Sequence, residues 1–184
     1  MTVPADFVRS VISGDPWSMR VLRTVRALNL PDWAIGAGFV RNPVWDAITN
    51  KSVRTKPSDV DVLYYDAADL APERETEHEE MLRAIMPDVD WSVTNQARMH
   101  LHNGDAPYKS TEDALRFWLE TPTAVAITLD SSDRLRVIAP FGFDDLMALR
   151  VRPTPRGRER IEAYRMRIES KQWQRFWPSM TIEM

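Results

Sequence analysis

Trp33-Ala34-Ile35-Gly36-Ala37-Gly38-Phe39 and, further along, Ser58-Asp59-Val60-Asp61-Val62-Leu63-Tyr64-Tyr65-Asp66 are the two stretches around which the chain is organised. The first is a short apolar run, read as a buried strand, that ends in two glycines able to turn the backbone tightly and expose its N–H groups. Gly36, Ala37 and Gly38 are therefore a candidate seat for phosphate. In the second, acid and aliphatic residues alternate. Strand side chains alternate faces, so Asp59 and Asp61 project together while Val60 and Val62 point to the core. Two like charges on one strand face repel, and each holds its proton more tightly unless a cation lies between them. A hard, oxygen-seeking ion such as magnesium meets that need.

Outward from these stretches, Asp15-Pro16 is a helix start, with the carboxylate as cap and proline at the first helical position; Met19, Leu22, Val25 and Leu28 follow at helical spacing. Beyond the glycines two readings stay open: Asn42-Pro43 as a second cap and first turn, or a helix already running from Gly38. Thr49 to Ser58 reads as a loop, and Glu73 to Ile85 as a helix with Glu75, Glu77, Glu79 and Glu80 near its start, where acids complement the helix dipole. Val89-Asp90-Trp91-Ser92-Val93 alternates again and predicts a second acid-bearing strand. Asp88, after Pro87, is the rival acid and suits a turn.

Thr94-Asn95 caps a helix through Arg98 and His100 that ends at Asn103-Gly104. Ser110-Thr111-Glu112-Asp113 resembles a capping box opening a helix that carries Leu115, Phe117, Trp118 and Leu119. Thr123–Leu129 and Leu135–Ile138, joined by Asp130-Ser131-Ser132-Asp133, read as a hairpin, and Asp144-Asp145 begins a short helix at Leu146. Residues 150 to 177 form the one basic segment. A helix from about Arg156 to Gln172 is expected beside the acidic cleft or the acidic helix, with docked RNA as the alternative.

At 184 residues the chain has room for one ordinary core. We expect a single domain over 1–184, with a helical part to about residue 32, a sheet-and-helix core over about 33–149 and the basic helix over about 150–184. A net charge of −3 excludes a globally basic nucleic-acid binder, though not a local patch. Without cysteine there is no disulfide, thiol nucleophile or thiolate zinc site. The N-terminus has no basic start or apolar stretch, and no run approaches a membrane span, so the expectation is a cytoplasmic protein without membrane partners.

Gly36-Ala37-Gly38-Phe39-Val40-Arg41-Asn42, Asp59-Val60-Asp61-Val62, Asn95-Gln96-Ala97-Arg98-Met99-His100 and Ala139-Pro140-Phe141-Gly142-Phe143-Asp144-Asp145-Leu146 together resemble the bacterial nucleotidyltransferase-like family formerly described as a domain of unknown function. That family is itself similar to the polymerase-beta-type nucleotidyltransferases, and the likeness runs from about Trp33 to Trp177. It implies that Asp59, Asp61 and Asp90 hold two divalent ions, Mg2+ or Mn2+, for in-line displacement at phosphorus. It also places Gly36, Ala37 and Gly38 on the triphosphate of a nucleoside triphosphate, with Arg41, Asn42 and Arg98 facing the same cleft. His100 is a candidate base or a core histidine, Tyr108 and Lys109 candidates for an acceptor pocket, and Asp144 and Asp145 caps or ligands.

The expected fold is α+β: a small mixed β-sheet carrying Trp33, Val60 and Val89 on its central strands, helices packed on one face, the acidic cleft on the other, and a C-terminal helical tail. The expected reaction moves a nucleoside monophosphate to an acceptor hydroxyl with release of pyrophosphate, the acceptor being RNA, protein or a small molecule. No glycine-rich loop ending in Lys-Ser or Lys-Thr is present to clamp a γ-phosphate for hydrolysis. The rivals are an inactive nucleotide-binding module of the same fold and a sugar-nucleotide glycosyltransferase, which also uses Asp-x-Asp.

Overall fold

The computed structural model describes residues 3–184. Its strands β1 (Ala34–Gly36), β2 (Val60–Tyr64), β3 (Trp91–Asn95), β4 (Ala126–Leu129) and β5 (Leu135–Ile138) form one sheet in the order β3-β2-β1-β4-β5. β1 pairs antiparallel with β2 and β4, β4 pairs antiparallel with β5, and β2 runs parallel to β3, so the sheet is mixed as expected. One expectation is corrected: Val89 precedes β3, an edge strand. The parallel crossover through α4 (Glu73–Ile85) must deliver β3 outside β2, because β1 already occupies the other side.

Alternation along the strands divides the two faces. Val60, Val62, Ile35, Trp91, Val93, Ile127 and Leu129 point into the large core. That core is covered by α1 (Pro4–Ser13), α2 (Pro16–Arg26) and α3 (Gly38–Ile48), and its largest fully buried side chain is Trp45, whose indole N–H donates to Leu146 O at 2.9 Å. On the other face Ala34, Leu63, Ala126 and Ile138 meet Leu115 and Trp118 in a second, smaller cluster. Asp15 caps α2 through the amides of Trp17 and Ser18, and Asn95 caps α5 (Gln96–Asn103) through that of Ala97. α3 runs from Gly38 straight through Pro43, which settles the open reading there.

Ser110 caps α6 (Thr111–Leu115) as the capping box requires, yet the helix stops before Phe117 and Trp118. Strand-like pairing takes over instead: Thr121 N donates to Arg152 O and Thr154 N to Leu119 O, both at 3.0 Å. After α7 (Asp144–Met147) the basic tail is more than one helix. β6 (Arg150–Val151) pairs parallel with β7 (Thr181–Ile182), and α8 (Pro155–Glu159) is separated from α9 (Ile161–Lys171) by Arg160 at φ −115°, ψ 49°. Among the described residues no helix is long and apolar enough to cross a membrane.

Candidate active site

β2 brings Asp59 and Asp61 to the face opposite the core, both half-buried. Burial first, and then the charge of Asp59, pushes the Asp61 carboxyl up to about 6, against the pull of Arg167, Lys171 and Arg41. A carboxyl pair held in this way is suited to a hard divalent ion, which would relieve the repulsion. Asp90 stands one residue ahead of the Val60–Trp91 register, so it lies abreast of Asp59 at the entry to the parallel strands, and its carbonyl accepts the Val60 N–H at 2.8 Å. Its side chain is exposed, and among the described residues no three His, Asp or Glu side chains converge closely enough to hold an ion.

The turn after β1 is built differently from the expectation of two flexible glycines. Neither Gly36 nor Gly38 has a positive φ; Ala37 does, at φ 53°, ψ −124°. The glycines are required by close approach instead. A Cβ on Gly36 would lie 3.1 Å from Trp118 Cη2, and one on Gly38 3.1 Å from Pro57 Cβ. The Ala37 N–H is committed to Val125 O at 3.0 Å, so among the three expected phosphate donors it is not available. The amides of Gly38 and Phe39 open α3, where position leaves them without intrahelical acceptors.

Beside this turn lies a cavity of about 340 Å³ lined by Asp59, Asp61, Arg41, Asn42, Gly38 and Lys56, and closed by the tail. On α9, Arg167, Ser170 and Lys171 recur at helical spacing and face it, while Tyr164 and Ile168 turn to the core. Trp173, Phe176 and Trp177 complete the wall. Arg41 is buried under this wall with its guanidinium carbon 5.2 Å from the Trp45 ring centroid and 4.6 Å from that of Trp173. It donates to Thr123 Oγ1 at 2.8 Å and to Asn42 Oδ1 at 3.0 Å, and burial pulls its pKa down to about 10. Sequence reasoning missed the aromatic wall. Its signal was three aromatics within five residues, Trp173-Gln174-Arg175-Phe176-Trp177, directly after the basic helix.

Residues 23–182 match the sequence family described as Nucleotidyltransferase. The chain belongs to the nucleotidyltransferase family. A solved structure described as an NMR structure revealing a CCA-adding enzyme head domain is similar to this chain over 96% of the chain and 94% of its own length, at 32% identity and TM-score 0.85. The Thermotoga maritima CCA-adding enzyme complexed with tRNA (17% identity, TM-score 0.50) and the Bacillus stearothermophilus CCA-adding enzyme in complex with CTP (18% identity, TM-score 0.50) share the fold. The chain aligns with 83% and 100% of its own length against 37% and 42% of theirs, so it spans less than half of each. No curated protein matches it in sequence.

Other expected site residues lie elsewhere. Arg98 grips Glu75 with two bonds, at 2.8 and 2.6 Å. Its helix starts at the C-terminal end of β3, whereas the carboxylates enter β2 at the N-terminal end, and the two strands are parallel. His100 Nδ1 contacts Ala97 O at 3.0 Å, and buried Tyr108 donates to Asp105 at 2.6 Å. Lys109 is exposed. Asp145 is a buried anchor for Thr121, Arg150 and Arg152, while Asp144 lies exposed in the first turn of α7.

Proposed function

We propose that this member of the nucleotidyltransferase family binds a nucleoside triphosphate in the cavity between α3 and α9 and transfers its nucleoside monophosphate to an acceptor hydroxyl, releasing pyrophosphate. The observation that carries the reading is the set of groups that line one cavity: the Asp59–Asp61 pair, the cations Arg41, Lys56, Arg167 and Lys171, and the aromatic wall of Trp173, Phe176 and Trp177. Carboxylates, cations and flat rings around one cavity suit metal, phosphates and base. Asp59 and Asp61, with Asp90 alongside, would hold Mg2+ or Mn2+, which when bound supplies charge neutralisation at the transferring phosphoryl group. The chain's own groups do the rest. The Gly38 and Phe39 amides and the tail cations hold the phosphates, and Trp173 and Phe176 take the base. The acceptor oxygen then bonds to the α-phosphorus, the bond to the β-phosphate bridge breaks with its electron pair leaving on pyrophosphate, and the hydroxyl proton passes to a carboxylate or to water.

The CTP- and tRNA-bound structures of enzymes with this fold support a nucleotide in the cavity and make RNA one acceptor class among those expected. Incubation with Mg2+, cell extract and either α- or γ-labelled nucleoside triphosphate tests the reading. Transfer of the α-label with release of γ-label as pyrophosphate is expected; γ-label released as orthophosphate overturns it. Tight nucleotide binding without transfer would favour an inactive binding module, a reading in keeping with the absence, among the described residues, of a third carboxylate converging on the pair.

A further inference from the structure

A second cavity, of about 330 Å³, meets the first at Ala37, Asp61 and Arg167, which line both. Its own walls are chemically distinct. Phe117 and Trp118 form an aromatic side, Arg160 stands just ahead of α9 and Ala163 on its first turn, and Asn103 closes the rim. Glu120 completes it and is only 1% exposed. Its Oε1 lies 2.6 Å from Arg167 Nε but off the N–H direction, leaving a buried oxygen without a hydrogen bond. Arg160 is also under-used: one guanidinium nitrogen serves Asn103 O and the Asp105 carboxylate, and the others have no hydrogen-bond partner among the described residues.

We infer that this second cavity is the acceptor site, and that it takes a phosphorylated sugar whose hydroxyl faces Asp61. The inference rests on the nucleotidyl-transfer reading of the first cavity. A group transferred from the first cavity must leave past Asp61, and the second cavity is the space on its far side. Each wall then has a counterpart in the ligand: a sugar ring against Trp118 and Phe117, an anionic phosphate on the free Arg160 nitrogens, and a hydroxyl donating to Glu120 Oε1. The volume suits one sugar phosphate. The same chemistry is offered by a free sugar phosphate and by the terminal ribose of a nucleic acid.

The seven tryptophans separate the two cavities, because Trp118 lines the second while Trp173 and Trp177 line the first. Indole N–H resonances, assigned by Trp→Phe replacement, are followed while ribose 5-phosphate is titrated, with and without a saturating α,β-methylene nucleoside triphosphate and Mg2+. The nucleotide is expected to move Trp173 and Trp177, and its failure to do so breaks the functional reading. Ribose 5-phosphate is expected to move Trp118 in both series. Arg160→Gln and Glu120→Gln should each weaken that response about tenfold, with Arg160→Gln leaving the nucleotide response intact. A short oligoribonucleotide with a free 3′-hydroxyl that moves Trp118 at lower concentration than ribose 5-phosphate identifies a nucleic-acid end as the source; the reverse order identifies a free sugar phosphate. Ribose 5-phosphate that leaves Trp118 unmoved, acts only on Trp173 and Trp177, or binds no better than inorganic phosphate overturns the inference.

Discussion

The Arg41 guanidinium lies 4.6 Å from the centre of the Trp173 ring, joining the helix that follows the glycine turn to a residue beyond the basic helix. A cation on an aromatic face contributes about 0.5–2 kcal/mol, and a base stacked on the same wall about 1–3 kcal/mol. Trp173→Ala is therefore expected to weaken nucleoside triphosphate binding about tenfold or more, with Trp173→Phe recovering most of it. Equilibrium binding with Mg2+ present is the measurement; unchanged affinity in Trp173→Ala removes the wall from the site.

Asp61 titrates near 6, above the ordinary carboxylate value of about 4. The folded protein thus holds this proton more tightly than the unfolded chain. The resulting stability is fully present below the ordinary value and is lost as pH rises through about 6, a change of roughly 3 kcal/mol in the metal-free protein. Asp61→Asn should flatten the slope. Saturating Mn2+ should stabilise the parent more at pH 7 than at pH 5, because the ion needs the carboxylate ionised. Thermal melts across this pH range decide, and a slope that survives in Asp61→Asn would place its origin elsewhere.

Asp90 is abreast of Asp59 but exposed. As a third acid acting on the acceptor side, its replacement by Asn should lower turnover far more than nucleotide affinity. Turnover equal to the parent's would limit the metal-holding set to Asp59 and Asp61.

Ala37 holds a backbone conformation that costs a residue with a Cβ about 1–3 kcal/mol. Ala37→Gly is expected to raise stability by up to about 1 kcal/mol despite the entropy glycine adds to the unfolded chain, and Ala37→Val to lower it by more. Denaturant titration reads both signs directly.

What the sequence disclosed was what neighbouring residues determine. The cap at Asp15, the helix from Glu73 to Ile85, the hairpin at Asp130 to Asp133 and the shared face of Asp59 and Asp61 each depend on a few adjacent side chains and a repeat of two or 3.6. Features that depend on distant segments were not legible. α6 ends early because residues 119–121 pair with 152–154, and Arg98 leaves the cleft because β3 runs parallel to β2. The positive φ falls on Ala37, and Gly36 and Gly38 are there because Trp118 and Pro57, distant in sequence, crowd the places where their Cβ atoms would be. The aromatic wall was hidden for the same reason, since nothing near Trp177 indicates that it will meet α3.

The Trp177 indole N–H donates to Asp46 Oδ1 at 2.9 Å across 131 positions of the chain, and the same carboxylate holds the Thr55 amide and hydroxyl at 2.6 and 2.8 Å. Asp46→Ala would strand those donors and is expected to destabilise the protein by about 2–4 kcal/mol. That contact joins segments distant in sequence, whereas the helix caps and the β4–β5 hairpin form between close neighbours. The proposed seat of the nucleotide thus depends on a chain end held by few contacts, and it is expected to be the first part to open when stability falls. On gentle heating, affinity for nucleoside triphosphate should decay, and amide exchange around Trp173 to Trp177 should accelerate, while the far-ultraviolet circular dichroism of the sheet and its helices remains unchanged.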